Sequence, residues 1–298
     1  MESTGNITSG TPQVAVLSEH PNFHLEISAI LSRPVQLHPT PETRFVILGN
    51  DYENFLNSAT WQQAAPHPPI AIYTSSAEVP CFLPLHQQHV THYIFAGLPY
   101  AQEALIHAVA LLTTPNPATY HEFPSPPVIR QQTRFHPETV EENHQVLSVI
   151  RTLLTDNSWP DDTISNTELA AKEALTNAFF HSFHDDGKIE PRYDPSDFTR
   201  LHENDHVNVT ATLTTQWFHL QIKDNSGSLD PQSVSGSIDR HNHQLGLFDT
   251  RGRGFYLMQH LSQRMVITIS QNISTTIDLY FSSEIRTNTP RHLELIVH

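Results

Sequence analysis

Between residues 115 and 127 five prolines fall in thirteen positions, with Ser, Thr and Asn among them. Each proline fixes its own φ and removes a backbone donor, so neither a regular helix nor an interior strand can run through. The stretch reads as an extended linker that divides the chain in two. A length of 298 residues suits two domains of ordinary size better than one. With 38% hydrophobic residues and 15 Phe, there is enough apolar side chain for real cores.

Ahead of the prolines, compact apolar runs at 14–17, 45–48, 70–73 and 93–95 alternate with helix-like segments at Phe23–Leu31 and 101–112. Continuous apolar strands separated by helices predict a parallel sheet covered on both faces. Beyond the prolines the pattern changes. Helices are expected at 140–154 and 164–182, a polar loop or insertion at 184–206, and a hairpin from 207–213 and 217–222. A helix at 255–261 and strands at 265–269 and 275–281 complete an α/β sandwich, a mixed sheet covered by helices.

The formal charge of −15, from 31 acidic and 16 basic residues, disfavours nonspecific contact with nucleic acid or anionic lipid. It points instead to protein or small-molecule partners. The single cysteine, Cys81, excludes an internal disulfide framework and fits a reducing compartment. The first residues lack a basic segment followed by an apolar core, and no apolar run nears the roughly 20 residues of a membrane span. A cytoplasmic protein with no nucleic-acid or membrane partner is expected. The dense cluster from Asp239 to His243 reads as a solvated loop, because no helical histidine pair accompanies it.

Three motifs carry chemistry. Glu173 and Asn177 lie four residues apart and share a helical face. An Asn oxygen suits Mg²⁺, and a neighbouring carboxylate can accept a proton from a hydroxyl or water. Asp224 closes an expected strand ahead of Asn225-Ser226-Gly227-Ser228, where its carboxylate can point into a pocket and accept from an exocyclic amine. Gly252 and Gly254 open a helix between Arg251 and Phe255, with Arg253 between them; backbone N–H groups and flanking arginines there suit phosphates.

In order and spacing, EALTNA, DNSGSLDP and GRGFYLMQHLSQRM resemble the three boxes of the GHKL ATPases, closest to the anti-sigma factor serine kinases. The resemblance spans about residues 135–283. Along its helix the family reads E-x-x-x-N-A-x-x-H, matched here by Glu173, Asn177, Ala178 and His181. It implies ATP and Mg²⁺ as cofactors, Glu173 as catalytic base and Asn177 as the metal ligand. It also implies nucleotide contacts at His181, Asp224, Gly227, Arg251, Gly252, Arg253 and Gly254, with Thr275 beside the adenine-binding Asp224. As partner it implies an anti-anti-sigma protein of the STAS type, or a sigma factor. Two features depart from the family. Ser226 and Ser228 occupy glycine positions around Gly227, so the turn must be reshaped. Segment 184–206 is also longer than the family's.

The first half is similar, more faintly, to a response-regulator receiver: Ser18-Glu19, Gly49-Asn50-Asp51, Thr74-Ser75 and Pro99 follow its strands in the receiver order. Only Glu19 remains of the acidic pair, and no lysine precedes Lys172, so the phosphorylation switch is incomplete. A degenerate receiver that binds or dimerises is expected, with a homodimer among the assemblies. The resulting organisation is a receiver-like doubly wound parallel sheet at 1–114, linker 115–134, GHKL sandwich 135–283 and C-terminal tail 284–298. Two rival functions stay open, a noncatalytic nucleotide-binding regulator and a sensor histidine kinase. A topoisomerase or chaperone ATPase would need further domains.

Overall fold

Every apolar run of the first half becomes a strand, and each strand aligns parallel to the next. The computed structural model describes residues 13–37, 43–58, 61, 69–76, 80–96, 101–113, 128–184, 191–196, 198–215, 217–242, 253–283 and 291–297. Strands β1 (Gln13–Leu17), β2 (Thr43–Leu48), β3 (Ile70–Thr74) and β4 (Val90–Phe95) pair in sequence order. Helices α1 (Phe23–Leu31) and α4 (Ala101–Thr113) cover one face, over Val16, Ile47, Tyr73 and Ile94. The short helices α2 (Tyr52–Leu56) and α3 (Phe82–Gln87) lie on the other. Outside β1, Gln36 makes a single parallel bridge to Ala15. Counting that bridge as a vestigial strand gives the flavodoxin-like order 2-1-3-4-5.

In the second half, α5 (Val140–Asp156) starts at a capping box, in which Thr139 Oγ1 accepts the Glu142 N–H and the Glu142 carboxylate accepts the Thr139 N–H, each at 3.2 Å. Helix α6 (Asp161–Phe180) follows and packs against α5. The expected hairpin is β6 (Val207–Thr214) and β7 (Trp217–Asp224), antiparallel in register. Strands β8 (Arg264–Ser270) and β9 (Ser274–Ser282) extend it, and helices α7 (Pro231–Asn242) and α8 (Gly254–Leu261) complete the helical layer.

Two strands lie where none was expected. Strand β5 (Ile129–Phe135) occupies the end of the stretch read as linker and pairs with β6 at the sheet edge. Its side chains are mostly exposed, so no apolar alternation marks it. Strand β10 (His292–Val297) comes from the segment read as a tail; it is parallel to β8 and antiparallel to β4. The two halves therefore share one ten-stranded mixed α/β sheet, ordered β1-β2-β3-β4-β10-β8-β9-β7-β6-β5. One apolar core runs beneath both, from Val46 and Tyr93 through Leu293 and Leu295 to Met265 and Leu220.

A carboxylate sits inside that junction. Glu294 is fully buried and accepts from Arg264 Nε at 2.5 Å, with His92 Nε2 3.5 Å from its other oxygen. The Arg264 guanidinium lies 5.1 Å from the Tyr280 ring centroid. Glutamate in a central strand is a poor sequence signal; here it pairs with a buried arginine.

Segment 184–206 follows α6 and is tied down at its end. Arg192 Nη1 and the Tyr193 hydroxyl both donate to the Asp205 carboxylate, and Leu201 N–H donates to Glu138 O at 2.9 Å. Phe198 meets Phe179, Phe180 and Tyr193 edge-on, which seats this part of the segment on the C-terminal end of α6. Among the described residues no helix is long and apolar enough to cross a membrane.

Candidate functional site

The motif residues converge where the C-terminal part of α6, the end of β7 and the start of α8 meet. On α6, Ala170, Ala171, Ala174 and Ala178 are buried, and their small side chains let the helix lie close to its neighbours. That leaves Glu173 and Asn177 half-buried beside α8. A Cβ placed on Gly254 would lie 3.0 Å from Glu173 Oε2 and 3.4 Å from Asn177 Nδ2. The first residue of α8 therefore packs directly on both polar side chains. Asn177 Nδ2 is buried and has no hydrogen-bond partner among the described residues.

Asp224 ends β7, buried at 4% exposure, and faces Thr275 of β9 as its cross-strand partner. Its Oδ1 accepts from Ser226 N at 2.9 Å and Ser226 Oγ at 2.6 Å, and its Oδ2 accepts from Ser182 Oγ at 2.9 Å. A carboxylate offers about four acceptor positions, so three donors leave room for one more. The Thr275 hydroxyl is buried alongside with no partner among the described residues. Buried polar atoms normally have a protein, water or ligand partner; other atoms without one occur elsewhere in the fold, and these two are distinguished by lying at the motif residues.

The turn after Asp224 resolves the serine departure. The left-handed residue is Gly227, at φ +61°, and neither serine has a positive φ. A Cβ on Gly227 would lie 2.2 Å from Ser270 O and 2.6 Å from Ile273 N, so the turn sits directly on the β8–β9 connection. Glycine is thus present where the backbone demands it. Ser226 caps Asp224, and Ser228 Oγ donates to Ser182 O.

Ser182 was not singled out from the sequence. It lies just past α6 and joins two motifs: its Oγ donates to Asp224 Oδ2 at 2.9 Å and lies 3.2 Å from Asn177 O. A serine following a helix that ends in Phe-Phe-His carries no distinctive signal; only the approach of β7 gives it a role. His181 is the exposed C-cap of α6, and its N–H donates to Asn177 O at 3.1 Å. Arg253 is the exposed N-cap of α8. Arg251 and Gly252 lie outside the described residues.

The cluster from Asp239 needs a correction: residues 239–242 are the last turn of α7, with Asp239 half-buried, and no loop. Polar and histidine-rich composition concealed a helix whose apolar side shows only as Val234 and Ile238, both fully buried.

In the first half, Asp51 is already engaged. Ser18 Oγ donates to its Oδ1 at 2.7 Å and Glu19 N–H donates to its Oδ2. Asn50 Oδ1 accepts from Thr74 Oγ1 at 2.7 Å and Ser75 N at 2.8 Å.

Residues 136–281 match the model of the histidine kinase-like ATPase domain. No curated protein matches the chain. Among solved structures, the chain is similar to one from the crystal structure of the SiaB-SiaC complex from Pseudomonas aeruginosa. The identity is 12% and the TM-score 0.38, over 51% of this chain and 89% of that one. So loose an overlap carries no weight for function.

Proposed function

We propose that the second half binds Mg-ATP and phosphorylates a serine or threonine of a protein partner. Support comes from the match of residues 136–281 to a histidine kinase-like ATPase domain. The observation that carries the site is the pair of orphaned polar groups, Asn177 Nδ2 and the Thr275 hydroxyl, buried beside Glu173 and Asp224. That donor set fits the nucleotide. Asp224 has an acceptor position left for the exocyclic amine of adenine, and Thr275 a hydroxyl beside it. Asn177 Nδ2 would donate to a nucleotide oxygen and its amide oxygen is the type a hard cation takes, while Gly254 gives a helix N-terminus next to Glu173.

Bound ATP supplies the phosphoryl group, and Mg²⁺ offsets its charge. The chain's own contribution is positioning and one proton transfer. As the partner hydroxyl oxygen bonds to the γ-phosphorus, the β–γ bridging bond breaks and ADP leaves. Glu173 accepts the hydroxyl proton. Arg251, Gly252 and Arg253 are assigned to the phosphate side, Gly227 to the adenine-side turn, and His181 to a nucleotide contact. As partner we propose an anti-anti-sigma protein of the STAS type or a sigma factor, met in the cytoplasm. We read residues 1–114 as a degenerate receiver joined by the proline-rich stretch to the ATPase unit, which begins with β5 at Ile129 and shares β10 with the first half.

A noncatalytic regulator is the second reading, favoured by one observation: the three donors from Ser182 and Ser226 already stabilise Asp224 without any ligand. A sensor histidine kinase is less well supported, because α5 and α6 are both occupied in covering the sheet. Incubation with γ-labelled ATP and a STAS-type protein separates the three. Label on a partner serine selects the kinase, label on the chain's own histidine selects the sensor kinase, and nucleotide bound without transfer selects the regulator.

A further inference from the structure

Helix α7 leaves the Asp224–Ser228 turn by way of Leu229 and Asp230, and α8 with Gly254 follows it in chain order. It therefore connects two walls of the candidate site. One side of α7 does not face the second half at all; it meets α3 of the first.

The contact is specific. Asp239 Oδ1 accepts the Phe82 N–H at 2.6 Å, and its Oδ2 accepts the Leu83 N–H at 2.7 Å. These are the first two amides of α3, which lack intrahelical acceptors. The helix's own N-cap residue, Cys81, makes no side-chain capping bond, so the cap comes from the other half of the chain. One turn earlier on α7, Gly236 faces Leu83: a Cβ there would sit in ordinary contact, 3.8 Å from Leu83 Cδ2. Two residues past Asp239, in the same last turn of α7, the His241 ring stacks on Tyr256 of α8, with centroids 5.4 Å apart and planes at 22°. Tyr256 lies two residues past Gly254, the glycine packed on Glu173 and Asn177.

We propose that Asp239 is a positioning residue for the nucleotide site, fastening α7 to the first half so that this half sets nucleotide affinity. The proposal rests on the Mg-ATP reading above. A loosened α7 must be ordered when nucleotide binds, which weakens binding. By linkage, bound nucleotide must tighten the Asp239 clamp to the same extent.

The test uses the full chain and the variant Asp239→Asn, which keeps the size of the side chain but replaces one acceptor oxygen with an amide nitrogen. Leu83→Ala attacks the same contact from the other side and stands in if the first variant folds poorly. Calorimetry with Mg-ATP should show affinity about 5- to 30-fold weaker in either variant, within the usual range of coupling between sites. Hydrogen exchange supplies a readout that a merely structural cap would not move. Mg-ATP should slow exchange at Phe82 and Leu83 in the wild-type chain and fail to do so in Asp239→Asn. If the wild type binds Mg-ATP and both variants bind it equally well, the positioning role is wrong and the nucleotide reading stands. If the wild type binds none, the nucleotide reading falls, and exchange without ligand decides the clamp. Faster exchange across α8 in Asp239→Asn then upholds it, and unchanged exchange overturns it.

Discussion

At the scale of single residues, the proposed roles of Asp224 and Glu173 separate binding from chemistry. Replacing Asp224 with Ala removes the proposed adenine acceptor and strands the Ser182 and Ser226 donors that surround it. Losing one side of a buried hydrogen bond costs about 1–3 kcal/mol, or roughly 5- to 150-fold in affinity. Calorimetry of Asp224→Ala should show Mg-ATP binding weakened by at least that factor. Glu173→Gln retains shape and removes basicity, so nucleotide affinity should hold while transfer to a partner serine falls about 10²–10⁴-fold. Asn177→Ala should instead lose affinity together with Mg²⁺ dependence. Transfer by Glu173→Gln at the wild-type rate would reduce Glu173 to a helix surface residue. Gly227→Ala tests the turn: a left-handed alanine costs about 1–2 kcal/mol, and its Cβ would meet Ser270 O at 2.2 Å. Urea unfolding should place this variant at least about 2 kcal/mol below wild type; an unchanged midpoint would mean the turn can relax away.

At the scale of elements, β10 is the piece on which the sheet depends. Its inner positions Leu293, Leu295 and Ile296 are buried, and it separates β4 from β8. Burying each such side chain contributes about 1.5–3 kcal/mol. A chain ending at residue 290 should therefore lose several kcal/mol and expose two unpaired strand edges, which invite aggregation. Chemical denaturation and light scattering of that truncation read both effects. Equal stability and solubility would mean that β4 and β8 close up without it.

At the scale of the whole molecule, the junction of the two halves ties stability to pH. His292 is buried next to Arg264 and accepts the Phe95 N–H through Nδ1 at 3.1 Å. Burial, reinforced by the Arg264 charge, lowers its pKa to about 3. An unfolded histidine titrates near 6.5, so between these values the unfolded chain binds the proton that the folded chain refuses. The stabilisation is complete above about pH 6.5 and is lost as pH falls towards 3, at about 1.4 kcal/mol per unit. Urea midpoints followed from pH 7.5 to 4.5 should decline along this slope, and His292→Gln should flatten it. A slope identical in wild type and variant would assign acid sensitivity to other groups.

The same molecule shows what local patterning can and cannot reveal. Every apolar strand of the first half, the hairpin at β6 and β7, and the helices carrying Glu173 and Gly254 were legible, because their side chains alternate or recur with the period of the element that buries them. Strand β5 was not, since an exposed edge needs no apolar alternation, and neither was β10, whose central glutamate meets Arg264 and His92 from other strands. Helix α7 hid behind a polar composition, with Val234 and Ile238 too few to mark its period. For the site, Glu173, Asn177, Asp224 and Gly254 carried their own spacing, whereas the Ser182–Asp224 bond and the Asp239 cap form only when distant segments meet. Periodicity and motif spacing within a few turns are properties of the sequence by itself. The joining of both halves into one sheet, the Asp239 cap and the buried Glu294 depend on contacts between residues tens to hundreds of positions apart, which only the folded chain brings within hydrogen-bonding distance.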